Sequence, residues 1–419
     1  MKIAMLSYHT CPLATLGGKD TGGMNVYVRD LTRTLGTLGV HVDVFTRSQD
    51  EHVPHVLHDL GYGNRVVHVK AGPEVPLPKE ELLSYIPDFI TGIEEFTGAK
   101  NLEYDLIHSH YWLSGIAAIE LRKHWNVPVI QMFHTLGVMK QRVARPDEEV
   151  EGDYRLAGEK RILMDADCII AATPAEKTQI QWLYKGDVDK IEVIPPGVDL
   201  SRFYPIPDDE AKEVIGLPPC SQVLLYVGRI EPLKGIDTLI EAIAYMRTQG
   251  EFEELSFCLA VIGGVGDGDP TIQSAEMKRL KDLCHLHGLD DLVTFLGKKD
   301  QDTLPYYYSA AEAVVVPSHY ESFGMVALES MACGTPVVAS QVGGLAYLVQ
   351  DGVTGYTVPY SDVEALAKRL SDLIRNKPLR DQLGKQAAAV AKDFSWDIIA
   401  RQIQNCYQGE ISHYSKLAD

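Results

Sequence analysis

The chain reads Gln222-Val223-Leu224-Leu225-Tyr226-Val227-Gly228-Arg229, a short apolar run followed at once by a glycine and a cation. Apolar runs of this length, bounded by turn residues, are typical of strands that are buried on both faces of a parallel sheet. The pattern recurs along the chain with stretches of helical length between the runs, which predicts βαβ units and an α/β fold. The later runs of this series are Ser256–Ile262, Val293–Phe295, Ala313–Val316 and Pro336–Ala339.

An equivalent series fills the first half of the chain, so the sequence predicts two doubly wound parallel-sheet domains. Prolines remove backbone donors in Ile191–Asp199 and again in residues 203–209, and we place a hinge there. The predicted domains are residues 1–197, completed by a closing helix at 398–419, and residues 198–397. Ligands bind beyond the carboxyl ends of such strands, so a cleft between the domains is expected. The elements predicted in the first domain are strands Lys2–Ser7, Val40–Phe45, Arg65–Val69, Leu106–Ser109, Val127–Phe133 and Cys168–Ala171, with helices Met24–Leu38 and Tyr111–His124.

Composition limits the classes of partner. The 419 residues include 39 Lys and Arg against 58 Asp and Glu, a net charge of −19, so nucleic acid and anionic membranes are not expected partners. The seven cysteines stand singly without a Cys-x-x-Cys pair, which favours reduced thiols over a zinc site or a disulfide framework. The N-terminus lacks the apolar stretch of a signal peptide, and we expect a cytoplasmic protein. Any anionic ligand must therefore be bound in a local pocket.

A glycine-rich loop follows the first predicted strand and leads into a helix. It reads Gly17-Gly18-Lys19-Asp20-Thr21-Gly22-Gly23-Met24-Asn25-Val26-Tyr27. Adjacent glycines allow a ligand to approach the backbone, and the free N–H groups of a helix N-terminus attract a phosphate. The loop matches neither a Walker A motif nor Gly-x-Gly-x-x-Gly. Phosphate binding and an ordinary turn that needs positive φ both explain it at this stage.

Basic and hydroxyl-bearing residues of the first half form a second candidate site. Lys79, Lys140 and Arg155 are solvated side chains by default. However, Tyr111 and Thr135 directly follow residues at the ends of predicted strands, where ligands bind in parallel sheets. Together these cations and hydroxyls predict a pocket for a phosphate ester.

Three histidines lie at the same strand ends. His108, His110 and His134 could be metal ligands, but no cluster of Asp, Glu or Cys accompanies them in the sequence. We interpret His108 and His110 as hydrogen-bonded core or rim residues. His134, at a strand tip beside a hydroxyl, is expected to contact substrate.

The second half carries a pattern suited to a nucleoside diphosphate. Arg229 and Lys234 follow the first strand of that half, and two cations suit one diphosphate. Glu321 and Glu329 stand eight positions apart around a predicted strand-to-helix turn, and Glu329 can accept both hydroxyls of a ribose. The helix-starting N–H groups expected to face the diphosphate belong to Gly324, Met325 and Val326.

These motifs together resemble the retaining nucleotide-sugar glycosyltransferases of group 1, family 4, and the likeness spans nearly the whole chain. The resemblance rests on Gly-Arg-x4-Lys-Gly at Gly228–Gly235, on Glu-x7-Glu at Glu321–Glu329 and on the glycine turn. It implies the GT-B fold, with two Rossmann-like domains facing across a cleft. Leu-Pro-Lys-Glu-Glu-Leu and His-Thr-Leu-Gly-x-x-Lys look like short cyanobacterial sucrose-phosphate synthases. The turn Gly-Gly-Met-Asn-Val-Tyr is similar to the corresponding turn of inositol-phosphate N-acetylglucosaminyltransferases. The synthases usually have Gly-Gly-Gln at this turn.

The resemblance also implies roles for particular residues. His134 would touch the transferred sugar near the reacting carbon, the loop around Lys299 would border the base, and Glu321 would bind sugar hydroxyls. The implied catalytic residues are His134, Arg229, Lys234 and Glu321. The implied donor-binding residues are Gly23, Gly228, Arg229, Lys234, Lys299, Glu321, Phe323, Gly324, Met325, Val326 and Glu329. The implied acceptor-binding residues are Gly22, Gly23, Asn25, Lys79, Tyr111, Thr135, Lys140 and Arg155.

The expected reaction is retaining transfer of glucose from a nucleotide-glucose, UDP-glucose first, to fructose 6-phosphate. The alternative is N-acetylglucosaminyl transfer from UDP-N-acetylglucosamine to inositol phosphate. No carboxylate pair stands out in the first half, which favours front-face attack with the leaving phosphate taking the acceptor proton. We expect no cofactor and no metal, because side-chain cations serve the diphosphate. Two rival classes are a GT-B phosphorylase and a hinge-closing sugar-binding protein without activity.

Overall fold

The computed structural model describes residues 1–15, 21–144, 152–217, 222–250, 257–264 and 275–418. Gly17–Asp20 of the glycine-rich loop and Ser256 of a predicted strand lie outside the described residues. The chain divides into two compact units. The first contains Met1–Thr15, the described residues up to Gly197, and the segment from Trp396 onward, and the second contains the described residues of Val198–Ser395.

The first unit is built on an eight-stranded sheet in the order β3-β4-β2-β1-β5-β6-β7-β8. All neighbours are parallel except β3 and β4, which pair antiparallel. The strand order reverses at β1, which lies between β2 and β5. Residues that follow β1, β5 and β6 therefore meet at a topological switch point. The strands are β1 (Lys2–Leu6), β2 (His41–Arg47), β3 (Val56–Leu57), β4 (Arg65–Val69), β5 (Leu106–His110), β6 (Val129–Met132), β7 (Cys168–Ala171) and β8 (Ile191–Val193).

Helices connect these strands and bury apolar faces against the sheet. Ile107 of β5 and Leu113, Ala117 and Leu121 of the following helix belong to one buried cluster without solvent exposure. This spacing of four residues places their side chains on one helix face, which explains the packing. The helices are α1 (Gly23–Thr37), α2 (Lys79–Leu82), α3 (Ile86–Lys100), α4 (Tyr111–Trp125), α5 (Gly137–Val143), α6 (Asp153–Asp165) and α7 (Pro174–Tyr184).

The second unit contains a six-stranded parallel sheet in the order β11-β10-β9-β12-β13-β14. Its order reverses at β9, so the loops after β9 and β12 lie side by side. The helices of this unit are α8 (Asp208–Val214), α9 (Ile236–Thr248), α10 (Ala275–Leu286), α11 (Leu304–Ala310), α12 (Met325–Ala332), α13 (Leu345–Leu348), α14 (Val363–Arg375) and α15 (Lys377–Ala391). The strands are β9 (Gln222–Val227), β10 (Phe257–Ile262), β11 (Val293–Gly297), β12 (Ala313–Val316), β13 (Val337–Ser340) and β14 (Gly355–Val358).

The last helix, α16 (Trp396–Ala418), returns to the first unit and packs against α1. Its buried face includes Ile399, Ile403 and Tyr407, which are at most 1% exposed. The Trp396 ring lies 5.3 Å from that of Tyr27 on α1. Residues from the end of the chain therefore complete the core of a unit that begins at Met1.

The predicted α/β class with two doubly wound parallel sheets is confirmed. Arg65–Val69, Cys168–Ala171, Gln222–Val227 and Ala313–Val316 were predicted with their observed bounds, and the other predicted strands are shifted at an end. The hinge assignment was wrong at its start, because Ile191–Val193 pairs with β7 as the outermost strand of the first sheet. Strands β3 and β14 were not predicted. No helix in the described part of the chain combines the length and apolar character needed to cross a membrane.

Candidate functional site

The glycine turn before α1 is held by one buried amide. Asn25 accepts a hydrogen bond from the Gly22 N–H at 2.9 Å and donates to Thr10 Oγ1 at 2.7 Å and to the Cys11 carbonyl at 2.8 Å. These three bonds tie the N-terminus of α1 to the loop after β1. Asn25 is predicted to line the acceptor site, and the structure places it as the residue that shapes that turn.

Positive φ is not needed at Gly22 or Gly23, the two glycines of this loop that the structure describes. Gly22 has a φ of −178°, which is extended backbone open to any residue, and Gly23 is not among the residues with positive φ. The adjacent glycines instead leave the N-cap position and the first residue of α1 without side chains, and Gly23 is exposed. A ligand can approach these backbone N–H groups closely.

Side chains from three segments converge on the Tyr111 ring. The Arg155 guanidinium carbon lies 4.9 Å from the ring centroid, the Lys79 Nζ 5.7 Å, and the His9 ring centroid 4.5 Å. Arg155 also donates to Thr135 Oγ1 at 3.1 Å. We name His9, Lys79, Tyr111, Thr135 and Arg155 the Tyr111 cluster. The structure thus brings together four residues that the sequence predicted as one phosphate pocket.

Arg155 is the fixed centre of the Tyr111 cluster. It is fully buried, and its Nε donates to Glu159 at 2.8 Å. Other guanidinium nitrogens donate to the Tyr111 hydroxyl at 3.2 Å and to the Thr135 carbonyl at 2.7 Å. Glu159 in turn accepts from the Gly137 N–H and from the Tyr184 hydroxyl. Because its partners are all fixed, Arg155 holds the Tyr111 and Thr135 hydroxyls in place.

Backbone conformation at the cluster is strained. Tyr111, at the start of α4, has a φ of 72°, and His134 has a φ of 61°. Left-handed backbone is uncommon for residues other than glycine, and such strain concentrates at functional sites. Tyr111 directly follows β5, which flanks the switch point, and His134 lies two residues beyond the end of the neighbouring strand β6.

Two residues differ from the expected set. Lys140 lies on α5, where its N–H donates to the Leu136 carbonyl at 3.1 Å, and it is not one of the residues that define the Tyr111 cluster. His9 was not predicted, although it follows β1 just as Tyr111 follows β5. Its position after a central strand is the sequence feature from which His9 could have been predicted as a site residue.

The three histidines lie together, with His108 and His110 buried and His134 partly exposed. His110 Nδ1 lies 3.0 Å from His134 Nε2, and His108 Nδ1 lies 2.7 Å from the Tyr407 hydroxyl of α16. Burial lowers the pKa of His108 and of His134 to about 3, and it lowers the pKa of His110 well below its ordinary value. All three imidazoles are therefore neutral at neutral pH. Among the described residues, no group of three or more His, Cys, Asp or Glu side chains is placed to hold a metal ion.

In the second unit, the loops after β9 and β12 are joined by an ion pair. Lys234 Nζ lies 2.6 Å from a carboxylate oxygen of Glu321. Between the loops, the His319 N–H donates to the Leu233 carbonyl at 2.9 Å. Gly235 makes this approach possible, since it has a φ of 64° and a Cβ there would lie 2.1 Å from the Pro317 carbonyl oxygen. The fold therefore places one predicted diphosphate cation against the predicted sugar-binding carboxylate.

Arg229 and Lys299 are placed less tightly. Arg229 follows β9 and Gly228, and its guanidinium donates to Glu231 at 2.7 Å. The Tyr226 hydroxyl donates to the Arg229 carbonyl at 2.9 Å, which fixes the backbone of that turn. Lys299 follows β11, with its Nζ 5.9 Å from the Tyr307 ring centroid.

Helix α12 positions the second glutamate. It begins at Met325, and the preceding Gly324 has a φ of 106°. Glu329 is 7% exposed, and its carboxylate accepts a hydrogen bond of 2.7 Å from the Tyr308 hydroxyl of α11. This bond fixes the direction of the carboxylate. The predicted ribose-binding carboxylate thus lies on α12 in a direction that Tyr308 fixes.

The residues between the two glutamates are anchored by a neighbouring glycine turn. The Gly344 N–H donates to the Glu321 carbonyl at 2.9 Å, and a Cβ on Gly344 would lie 2.3 Å from Phe323 Cα. Phe323 itself is buried. Val342-Gly-Gly-Leu therefore supports the backbone that leads to Val326 and the first turn of α12.

Comparison with known proteins decides the family. The family model described as glycosyl transferases group 1 matches residues 207–390, and that of glycosyltransferase family 4 matches residues 21–202. A D-inositol 3-phosphate glycosyltransferase from Actinosynnema mirum is 40% identical over 408 residues, which cover 97% of this chain and 96% of the relative. The chain belongs to the group 1, family 4 glycosyltransferases.

Solved structures agree with this assignment. The glycosyltransferase is similar to a sucrose-phosphate synthase from Thermosynechococcus elongatus, with 37% identity, a TM-score of 0.89, and coverage of 98% of this chain and 99% of the other. HepE from Anabaena, solved with UDP and glucose, covers 98% of the glycosyltransferase and all of its own chain at 20% identity and a TM-score of 0.74. That lower identity shows the fold alone. The expected GT-B fold is confirmed.

Proposed function

We propose that this glycosyltransferase moves a hexosyl group from a nucleotide-sugar to an acceptor that carries one phosphate ester, with retention of configuration at the transferred carbon. The observation that carries the proposal is the Tyr111 cluster. In a chain with a net charge of −19, Lys79 and Arg155 lie within 6 Å of one ring centroid, beside the Tyr111 and Thr135 hydroxyls. Cations combined with hydroxyl donors suit a phosphate monoester.

The first candidate acceptor is fructose 6-phosphate, which would yield sucrose 6-phosphate from UDP-glucose. This choice is supported by the sucrose-phosphate synthase that the chain matches over nearly all of both lengths. The second candidate is inositol 3-phosphate with UDP-N-acetylglucosamine as donor. It is supported by relatives named D-inositol 3-phosphate glycosyltransferase at up to 40% identity. The Gly22–Tyr27 turn, whose Asn25 ties α1 to the β1 loop, also favours this second candidate.

We assign the donor to the loops after β9 and β12. Lys234 and Arg229 bind the diphosphate, with N–H groups at the start of α12 as further donors. Glu329 binds the ribose hydroxyls, and Glu321 binds hydroxyls of the transferred sugar. The ion pair between Lys234 and Glu321 separates when the donor binds, and each charged group then acquires a ligand partner. His134 contacts the transferred hexose.

For the chemical step we favour attack from the face that the leaving group occupies. Within the described part of the chain, Glu159 is a carboxylate that contacts the Tyr111 cluster, and it is fully buried and engaged by Arg155, Tyr184 and the Gly137 N–H. A carboxylate fixed in this way does not serve as a nucleophile. The leaving phosphate instead takes the acceptor proton, while Lys234 and Arg229 stabilise its growing charge. The protein mainly positions the reactants.

The test is a matrix of donors and acceptors. UDP-, ADP- and GDP-glucose and UDP-N-acetylglucosamine are each offered with fructose 6-phosphate and inositol 3-phosphate, with unphosphorylated fructose and inositol as controls. Released nucleotide and glycosylated product are both measured. We expect turnover with a phosphorylated acceptor and at least a hundredfold lower kcat/KM for its unphosphorylated counterpart, since Lys79 and the Tyr111 and Thr135 hydroxyls lose their ligand. Equal use of both forms would refute the phosphate pocket.

Two further measurements complete the test. The anomeric configuration of the product, followed by NMR during turnover, reports retention or inversion. Turnover in EDTA tests the proposal that side-chain cations replace a metal, and activity that disappears in EDTA and returns with Mg²⁺ would contradict it. Release of nucleotide without any glycosylated acceptor would show that the protein hydrolyses the donor, and would refute the proposed glycosyl transfer.

A further inference from the structure

The contact between His110 and His134 has a consequence for the chemistry of the site. His110 ends β5 and His134 lies two residues beyond the end of β6, and β5 and β6 pair in parallel. His110 Nδ1 and His134 Nε2 lie 3.0 Å apart, which is hydrogen-bond distance for two ring nitrogens. The Tyr27 ring packs against both, at centroid distances of 5.5 Å and 5.1 Å. The two rings are therefore fixed relative to each other.

Two neutral imidazoles can form the hydrogen bond between His110 and His134 in two ways. Burial lowers the pKa of both histidines far below neutrality, so each ring carries one proton. A neutral imidazole has one N–H donor and one bare acceptor nitrogen. Either His110 donates from Nδ1, or His134 donates from Nε2. The two arrangements place the remaining proton of His134 on different nitrogens.

The surroundings of His110 decide between them. Its Nε2 is buried and has no hydrogen-bond partner among the residues that the structure describes. If that nitrogen carried the proton, an N–H group would be buried without an acceptor. A buried bare lone pair is less costly than a buried unpaired donor. His110 therefore carries its proton on Nδ1 and donates it to His134 Nε2.

We propose that His110 is a positioning residue that holds His134 in the tautomer protonated at Nδ1. His134 then offers an N–H donor, and not an acceptor, to an oxygen of the transferred hexose. This consequence rests on the proposed function, in which His134 contacts the hexose. The His134 ring is held in this position by its contacts with His110 and Tyr27.

The first test observes the tautomer directly. The full-length protein is labelled with ¹⁵N-histidine, and two-bond ¹H–¹⁵N correlation spectra are recorded at pH 7 without substrate. The His134 signals are assigned by their loss in His134→Gln. We expect a protonated Nδ1 and a bare Nε2 on His134. A protonated Nε2 on His134 overturns the proposal, whatever the activity of the enzyme.

The second test separates positioning from packing. His110→Asn keeps an N–H donor near the place of Nδ1, whereas His110→Leu has similar volume and no donor. We expect about a tenfold loss of kcat in His110→Leu, recovery to within about threefold of wild type in His110→Asn, and an unchanged KM for the phosphorylated acceptor. Equal losses in the two variants would mean that His110 only fills space, and the proposal fails.

One control distinguishes this failure from failure of the proposed function. If His134→Ala turns over like wild type, His134 does not contact the hexose, and the catalytic consequence of His110 falls with that assignment. If His134→Ala is impaired but His134 carries its proton on Nε2, the assignment of His134 survives and the inference about His110 alone is wrong.

Discussion

The ammonium of Lys234 lies 2.6 Å from a carboxylate oxygen of Glu321, a residue 87 positions later in the chain. The two side chains are 21% and 19% exposed, so solvent and ligands can reach the pair. It joins the loops after β9 and β12, the two strands that flank the switch point of the second sheet. A cation and a carboxylate with different proposed ligands thus hold each other in place in the resting protein.

Replacing Lys234 tests the diphosphate assignment. We expect Lys234→Ala to lower kcat/KM by about 30- to 1000-fold, since loss of one preorganised donor to a developing oxyanion costs about 2 to 4 kcal/mol. Lys368→Ala removes an exposed lysine of α14 in the same unit and should leave turnover unchanged. Near-normal turnover of Lys234→Ala would show that the diphosphate binds elsewhere.

Removing the Tyr308 hydroxyl tests how Glu329 is held. Tyr308→Phe deletes the 2.7 Å hydrogen bond to the buried carboxylate. We expect the KM for the nucleotide-sugar to rise about 5- to 10-fold, with the KM for the acceptor unchanged, because a net hydrogen bond is worth about 1 kcal/mol. Tyr306→Phe, on the same helix, is the matched control. A changed KM for the acceptor would show that Glu329 does not act on the donor alone, and would contradict its assignment to the nucleotide-sugar.

Lys79 tests the phosphate pocket without disturbing the core. It is half-buried over the Tyr111 ring, whereas Arg155 is fully buried and paired with Glu159. We expect Lys79→Ala to raise the KM for the phosphorylated acceptor by about 10- to 100-fold and to leave that for the donor unchanged. Lys100→Ala is a matched control, since Lys100 also lies over an aromatic ring, that of Phe96. Equal effects of the two substitutions would contradict a phosphate contact.

Glu176 gives a prediction for stability against pH. Burial raises the pKa of this carboxyl from 4.5 to about 7, although the Ala172 N–H donates to it at 2.7 Å. The folded protein therefore binds more protons than the unfolded chain between pH 4.5 and 7, and the free energy of unfolding falls as pH rises through that window. Glu176→Gln has no charge to bury. We expect the free energy of unfolding of this variant, relative to that of wild type, to be about 2 to 3 kcal/mol larger at pH 8 than at pH 4.5.

The measurement is urea unfolding followed by tryptophan fluorescence. All four tryptophans, Trp112, Trp125, Trp182 and Trp396, belong to the first unit, as Glu176 does. Glu95→Gln removes an exposed carboxylate of α3 in the same unit and should show no such pH-dependent difference. A constant difference between Glu176→Gln and wild type across the pH range would mean that Glu176 is ionised in the folded protein.

Tyr407 tests the attachment of α16. Tyr407→Phe removes the hydroxyl that lies 2.7 Å from His108 Nδ1 and leaves that buried nitrogen without its partner. We expect the first unit to lose about 1 to 3 kcal/mol of unfolding free energy by the same fluorescence assay. Tyr414→Phe, near the exposed end of α16, should cost less than half as much. Equal losses of unfolding free energy in the two variants would show that burial of the Tyr407 hydrogen bond does not determine its contribution to stability.

The sequence predicted the central strands well because strands buried on both faces are continuous apolar runs. It failed where that signal is weak. Val56–Leu57 is too short to be recognised, and Ile191–Val193 was assigned to the hinge because prolines follow it closely. Pro195 ends the strand but does not prevent the three residues before it from pairing with β7.

Motif spacing predicted which residues form the site, but it did not predict which side chains contact them. Tyr111, Thr135, Arg155 and Lys79 do converge, since strand ends meet at a switch point. The stacking of His9 on Tyr111 and the hydrogen bond from Tyr308 to Glu329 depend on tertiary packing, which no local pattern in one sequence records. Composition likewise gave no indication that Glu321 pairs with Lys234.

The return of α16 to the first unit affects the order in which the protein can mature during synthesis. The ribosome completes the second unit before it releases Trp396 and Tyr407, which are buried in the first unit. A nascent chain therefore exposes the surface of α1 that these residues cover until α16 has been synthesised. The unit made first is the last to be finished, and chaperones that bind apolar surface have their longest access to it.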